Sequence, residues 1–545
     1  MSKYTILNCK TVLLWFSHIL AAFIVGSTTA CNKIKPIPEH TVFRYNEFRN
    51  ITSLDPAFAR NPQNIWPINQ LFNGLVQLDN NLNIQGDIAQ AWDIDAEGLL
   101  YTFYLRSDVQ FHAHSVFGKN RTRKVIASDF THSFDRLLDP EVGSPGGWVL
   151  QHVDRYRAVN DSVFEIRLKQ KFPAFLGILT MQYCAVVPQE ATRFFGKDFG
   201  RNPVGTGPFR FQKWQEEVKL ILRKNHHYFE TDKNGVALPY LEALAINLIP
   251  DIQNEFMLFT QGKLDFLNSI DSSYKDNLLT ADGRLQQGYK NKVEMQKAPY
   301  LNTEYIGINM DTPNLLLQSQ KIRRALAIGF DREKMITYLR NSIGYPANGG
   351  FIPKGLPGYH PKDDLNYSPE EAKALVTEFH EENPQIPLTF HLATDSNYLD
   401  LCEFLQSEWG KLGLEIKIDL MPTATLRQAK TGGKLEAFRA SWIADYPDAE
   451  NYLSLFFTEN FSPAGPNYTH YSRAGFDSLY HMALATAEPT KRIALYQNMD
   501  HMIMNDLPVI PLYYDQAIRF TQKSVGGLKM NPTNLLDLKT VYKKP

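Results

Sequence analysis

The sequence predicts an α/β protein built from more than one lobe. Segments with period-two apolar alternation are interspersed with segments of helical period along the whole chain, the pattern of sheets packed against helices. A length of 545 residues exceeds what one hydrophobic core usually supports, so two or three lobes are expected. No internal repeat and no low-complexity segment interrupts the pattern.

Composition narrows the partners. Lys plus Arg is 57 and Asp plus Glu is 58, a formal net charge of −1, which argues against nucleic acid because phosphate neutralisation needs a basic face. The densest basic stretch, Lys119 to Lys124, reads as a solvated loop.

At the N-terminus, Lys3 and Lys10 precede an apolar run from Val12 to Val25 and the small residues Gly26 to Ala30. This run is too short for an ordinary membrane span and reads as a secretory signal over residues 1–30. Small residues directly before Cys31 resemble a bacterial lipoprotein signal, which implies a lipid-bearing Cys31 and a tether to a bilayer, although Thr28 stands where an aliphatic residue is usual. No later segment is apolar for long enough to span. Of the four cysteines, Cys184 and Cys402 remain after Cys9 and Cys31 are set aside, and their apolar flanks predict two free, buried thiols in different lobes.

Along the body, Thr41 to Glu47 alternates as a strand, Ser53 to Pro56 turns out of it, and a helix follows from about Asn64 to Phe72. Alternation on both sides of Glu97-Gly98 predicts a hairpin. The glycine turn Gly205-Thr206-Gly207-Pro208 lacks a Gly-Lys-Ser/Thr ending and is no P-loop. Ile322, Leu326 and Phe330 recur every four residues on a helix. Another helix opens at Tyr367 to Ala372, with Ser368 as N-cap, Pro369 at the first position and Glu371 at the third.

The most informative stretch is Phe438 to Asp448. An apolar, β-favouring run carrying Arg439 and Trp442 enters an acidic turn at Asp445 and reaches Pro447, which is how a buried strand delivers polar groups to a cleft wall. A free peptide needs this inventory: an anion for its ammonium, a cation for its carboxylate, and flat apolar surface for its side chains. The same residues also fit a core tryptophan beside a structural pair of Arg439 with Asp445 or Glu436.

Several motifs resemble one family. Ala91-Trp92, Leu105-Arg106, Val109-Gln110-Phe111-His112, Ala127-Ser128-Asp129-Phe130, Gly205-Thr206-Gly207-Pro208-Phe209, Arg223-Lys224-Asn225 with Tyr228, the Trp442 to Pro447 stretch and Leu507 to Tyr514 occur in order. In this the chain is similar to the extracytoplasmic solute-binding proteins of oligopeptide and dipeptide ABC importers, family 5. It departs from them in the polar insertion Ser115 to Lys124.

The resemblance implies a periplasmic-binding-protein-like fold of type II with three lobes and two main halves hinged around a cleft. Lobe I would comprise residues 32–64, 188–298 and 510–545, an extension 65–187, and lobe II 299–509. It implies a monomeric receptor, in the periplasm or at the cell surface, that passes short peptides to an inner-membrane permease. By the same resemblance Asp445 takes the ammonium end beside Trp442, Arg439 lies near the carboxylate end, and Glu47 lies at the cleft floor. Tyr513 and Tyr514 are core residues by default, with a groove position as the alternative.

No metal, cofactor or catalytic residue is expected. His112-x-His114 offers only two ligands, and neither Gly-x-Ser-x-Gly, His-Glu-x-x-His nor a cysteine with an evident histidine partner occurs. Alternatives are a nickel chelate, haem or cell-wall peptide as ligand, or hydrolysis of peptides.

Overall fold

The computed structural model describes residues 38–269, 274–361 and 364–544. The signal segment and Cys31 lie outside them.

One large mixed sheet organises the molecule. Its strands are β1 (Val42–Asn46), β2 (Phe209–Gln215), β3 (Lys219–Lys224), β4 (Ala243–Asn247), β5 (Phe266–Asn268), β6 (Val293–Ile308), β7 (Tyr345–Pro346), β8 (Thr389–Thr394), β9 (Glu415–Leu420), β10 (Ala437–Ile443) and β11 (Val509–Gln522). Their order is β9-β8-β10-β6-β11-β5-β1-β4-β3-β2, with β7 also on β11. Strand β1 runs parallel to β4 and β5, and β8 parallel to β9 and β10, whereas β6 and β11 are antiparallel to each other.

These two long strands define the architecture. Val293 to Pro299 of β6 pairs with Gln516 to Gln522 of β11 in one half of the molecule, and Thr303 to Gly307 pairs with Val509 to Tyr514 in the other. Between them, at Pro299 to Thr303, the register slips, and such a slip bends a strand locally. Each half has its own core: one runs from Phe43 to Phe266 and includes Val525 to Val541, the other from Leu301 to Tyr513. Ile510 to Tyr513, expected to return with the first lobe, still pack in the second core. The reason is the length of β11, which carries the chain across both halves without a break.

Within the first half, strands Ala89–Ile94, Leu100–Leu105, Val163–Leu168 and Val153–Asn160 form a separate four-stranded sheet around the expected hairpin. Its residues Phe103, Phe164 and Ile166 join the same core as Phe43 and Leu244, so the extension is packed onto its lobe. Helix α1 (Pro62–Leu71) ends against the glycine turn, where Gly207 donates to the Leu71 carbonyl at 2.9 Å. A side chain on Gly205 would run into that carbonyl, which explains the glycine there. His112 clamps the turn, accepting from Gly205 N at 3.2 Å and donating through Nε2 to Gly207 O at 3.0 Å. Buried and fully bonded, its imidazole is pushed down to about 4 and serves packing.

Two further details qualify the sequence reading. The helix at Pro369–Glu382 begins with proline as expected, but the Ser368 side chain makes no capping bond and contributes only its carbonyl. Cys184 and Cys402 are free and buried, one in each core.

Candidate functional site

Strand β10 delivers the site. Ala437 to Ala440 are buried, Ser441 and Trp442 half-buried and Ile443 exposed, so the strand climbs out of the sheet toward its C-terminal end. Asp445 follows two residues beyond. Its loop is held from below: Asn451, 4% exposed, accepts from the Trp442 indole at 2.9 Å and from the Asp445 amide at 3.3 Å. Ala444 donates to the Leu301 carbonyl at 2.9 Å, and the Tyr452 hydroxyl donates to the same oxygen at 2.7 Å.

The Asp445 side chain reaches solvent and forms no ion pair among the described residues. Surrounding protein nevertheless strips enough water to raise its carboxyl above the ordinary range, with Asn451 opposing the shift. The loop that carries it lies against the first half. Phe172 of the first half stacks edge-on with Tyr446 at 6.5 Å, and a Cβ on Gly177 would lie 3.5 Å from Pro447.

A cleft of about 550 Å³ lies between the halves, with Glu47, Arg49, Trp66 and Glu255 on one side and Tyr398 on the other. Glu47 is pushed up to about 7 by burial, against the Arg49 amide at 3.1 Å and the Arg49 charge. Glu255 is likewise pushed to about 7 by burial, with Glu47 adding to the effect. Asp445 and Trp442 do not line this cleft directly. Their loop is tied instead to the strand carrying the cleft residue Tyr300, because Ala444 and Tyr452 both donate to the carbonyl of its neighbour Leu301. A second cavity of about 320 Å³ shares Tyr300 and Asn534 with the first and contains Lys275, Arg340 and Asp515.

Arg439 is placed otherwise than the sequence reading offered. It is buried and paired with Glu304 of β6, whose exposure is 3%, and its guanidinium lies against the Tyr398 ring. Sheet register dictates the partner: Glu304 stands opposite Ser441, diagonal to Arg439, whereas Asp445 has already left the sheet. Glu436 instead accepts from the His391 amide at 2.9 Å. Asn302 extends the network by donating to Glu304 at 3.1 Å and to Asp515 at 3.3 Å, and Asp515 pairs with Arg340 at 2.8 Å. The whole cluster sits at the register slip. Tyr513 and Tyr514 are both 1% exposed and belong to the interior.

Glu255, Tyr300, Arg340 and Asn451 escaped the sequence reading. Glu255 sits in an ordinary helix entry after Asp251, and Asn451 carries no pattern that separates it from any turn residue. Among the described residues no cluster of His, Cys, Asp and Glu could hold a metal ion, and no helix is long and apolar enough to cross a membrane.

Two α/β halves joined by continuous strands around a cleft define a type II periplasmic-binding-protein-like receptor. A solved structure with this fold is the ABC transporter-associated periplasmic binding protein DppA from Helicobacter pylori, in complex with the peptide STSA: TM-score 0.75, 22% identity, 92% of this chain and 98% of that one. The model of the bacterial extracellular solute-binding proteins, family 5 middle region, matches residues 83–463, and the chain belongs to that family. Probable deoxycholate-binding periplasmic protein YgiS of Escherichia coli (strain K12) is 28% identical over 98% of this chain and 99% of its own. Di/tripeptide-binding protein 2 of Pseudomonas aeruginosa (strain UCBPP-PA14) is 26% identical over 83% of this chain and 85% of its own.

Proposed function

We propose that this protein is the substrate-binding component of a peptide ABC importer, enclosing short peptides between its halves and presenting them to a membrane permease. One observation carries the reading: Asp445, a carboxylate without an ion-pair partner among the described residues, stands on a loop that packs against the other half and shares Asn451 with the Trp442 indole. A primary ammonium supplies the missing charge, and closing the halves removes the water that competes for it. Trp442 and the aromatic cleft residues offer flat surface for side chains, and Glu47 a second acceptor at the floor. Arg439 acts from behind, holding Tyr398 and β10 in place. Closure is a bend at the register slip of β6 and β11. A lipid on Cys31 and a monomeric state complete the reading.

Calorimetry on the mature protein tests it, with unblocked di- and tripeptides in one arm and deoxycholate in the other. Peptides bind, and Asp445→Ala weakens them by about 3–5 kcal/mol, hundreds- to thousands-fold. Equal affinity of wild type and variant, or binding of the bile acid alone, rejects it. Intact ligand after long incubation separates the receptor from a hydrolase.

A further inference from the structure

The polar insertion Ser115 to Lys124, which sets the chain apart from the family motif, takes no part in the cleft. It is tied down at several points. Phe117, on the helical turn Ser115–Asn120, stacks on Phe111 at 5.9 Å, and Arg123 pairs with Asp129 at 2.7 Å and with Glu190 at 2.6 Å. Glu190 lies on the helix Gln189–Phe195, whose last residue, Phe195, meets the His114 ring edge-on at 5.5 Å. Insertion and helix therefore form one surface. It carries Lys119, Arg121 and Lys124 from the insertion and Arg193 and Lys197 from the helix and the turn after it, all exposed and in no ion pair among the described residues. Against these cations the two elements offer Glu190, already held by Arg123, and the exposed Asp198. Phe194 stands among the cations with 72% of its surface exposed.

Sheet register locates this surface. Val42, Ala243, Arg223 and Arg210 stand side by side across β1, β4, β3 and β2, so Val42 and the start of β2 lie at one end of the sheet, about 15 Å apart. The turn Gly205 to Gly207, just before β2, is bonded to His112, which leads into the insertion. Glu47 follows the opposite end of β1 and lines the cleft. The basic surface is thus at the end of the sheet where the chain arrives from Cys31, and the cleft lies at the other. Covalent geometry limits the reach from Cys31 to Pro38 to about 25 Å.

We propose that this surface docks on an anionic phospholipid bilayer and holds the body with its cleft turned away from the lipid. Phosphate headgroups supply the negative charge that the unpaired cations lack, and the exposed Phe194 ring enters the headgroup boundary, where aromatic side chains are stabilised. The docking face depends neither on the peptide reading nor on a lipid at Cys31, which the test removes.

Vesicle flotation tests it, with the mature chain carrying Cys31→Ser so that no lipid is attached. This protein is expected to float with mixed phosphatidylglycerol and phosphatidylcholine vesicles, to ignore phosphatidylcholine alone, and to be released as salt rises to about 1 M. Lys119→Gln with Arg121→Gln should weaken binding about fivefold for each cation removed, with the melting temperature unchanged. Phe194→Ser should weaken it as well, and Lys373→Gln with Lys417→Gln, two exposed cations of the second half, should leave it as it is. Absence of binding to the anionic vesicles, equal binding to the neutral ones, or equal weakening by the pair in the second half overturns the docking face. Retention on soluble dextran sulfate without vesicle binding also overturns it and assigns the cations to a polymer.

Discussion

Arg439 and Asp445 lie six positions apart on one run of chain and meet opposite fates. Arg439 is inside the sheet, where β6 supplies Glu304 on the same face, and its charge is consumed by the fold. Asp445 is beyond the last paired residue, Ile443, and its charge meets no ion-pair partner among the described residues. The lesson is that a charged residue near a cleft is assigned by whether the neighbouring strand reaches it. Residue type and proximity in sequence do not decide.

The contrast can be broken most forcefully from the committed side. Glu304→Ala leaves Arg439 buried without its counter-ion, and urea unfolding should register a loss of about 3–5 kcal/mol. The double variant Glu304→Met with Arg439→Leu should recover much of that loss, because removing both charges also removes their desolvation cost. If the single and double variants unfold alike, the pair is not what makes Glu304 matter.

A smaller effect sharpens the uncommitted side. Asn451→Ala removes the acceptor shared by the Trp442 indole and the Asp445 amide. Peptide affinity should fall by about 1–2 kcal/mol, with a change in tryptophan emission, since one buried hydrogen-bonding group is lost while the carboxylate stays. Unchanged affinity with altered emission would separate Trp442 from ligand binding.

The smallest effect concerns pH. Glu47 and Glu255 are both raised by burial to about 7, so the native protein holds protons that the unfolded chain releases from about 4.5 upward. Their contribution to stability is therefore present at low pH and lost as pH rises through about 7. Glu255→Gln should flatten the fall in melting temperature between pH 5 and pH 8, by an amount on the order of a kcal/mol or less. A slope identical to wild type would show that Glu255 titrates normally.

Much of the scaffold was legible in the sequence because it follows local rules. The first strand and the hairpin at Glu97-Gly98 depend on alternation and a glycine at φ +69°. The turn at Asp445 was legible too, but the side chain, expected in the wall of the cleft, is exposed and does not line the cleft of about 550 Å³. Arg439's partner was not legible, because Glu304 lies 135 positions away and only the register of two distant strands brings them together. Ser368 failed as a cap for a related reason: its backbone angles, φ −144° and ψ 77°, leave the hydroxyl without a helix amide to accept from. Likewise Glu255 and Tyr300 become cleft residues only once the two halves are set side by side.

The crossing strands carry one more consequence. The chain passes into the second half near Thr303 and comes back near Tyr514, and these two residues are direct neighbours in the antiparallel pair β6 and β11. Entry and exit are therefore about 5 Å apart. The second half is a cassette with adjoining ends, so a short turn joining Ala298 to Ala517 would close the first half as a hairpin, and the excised piece could be exchanged between relatives with two cuts.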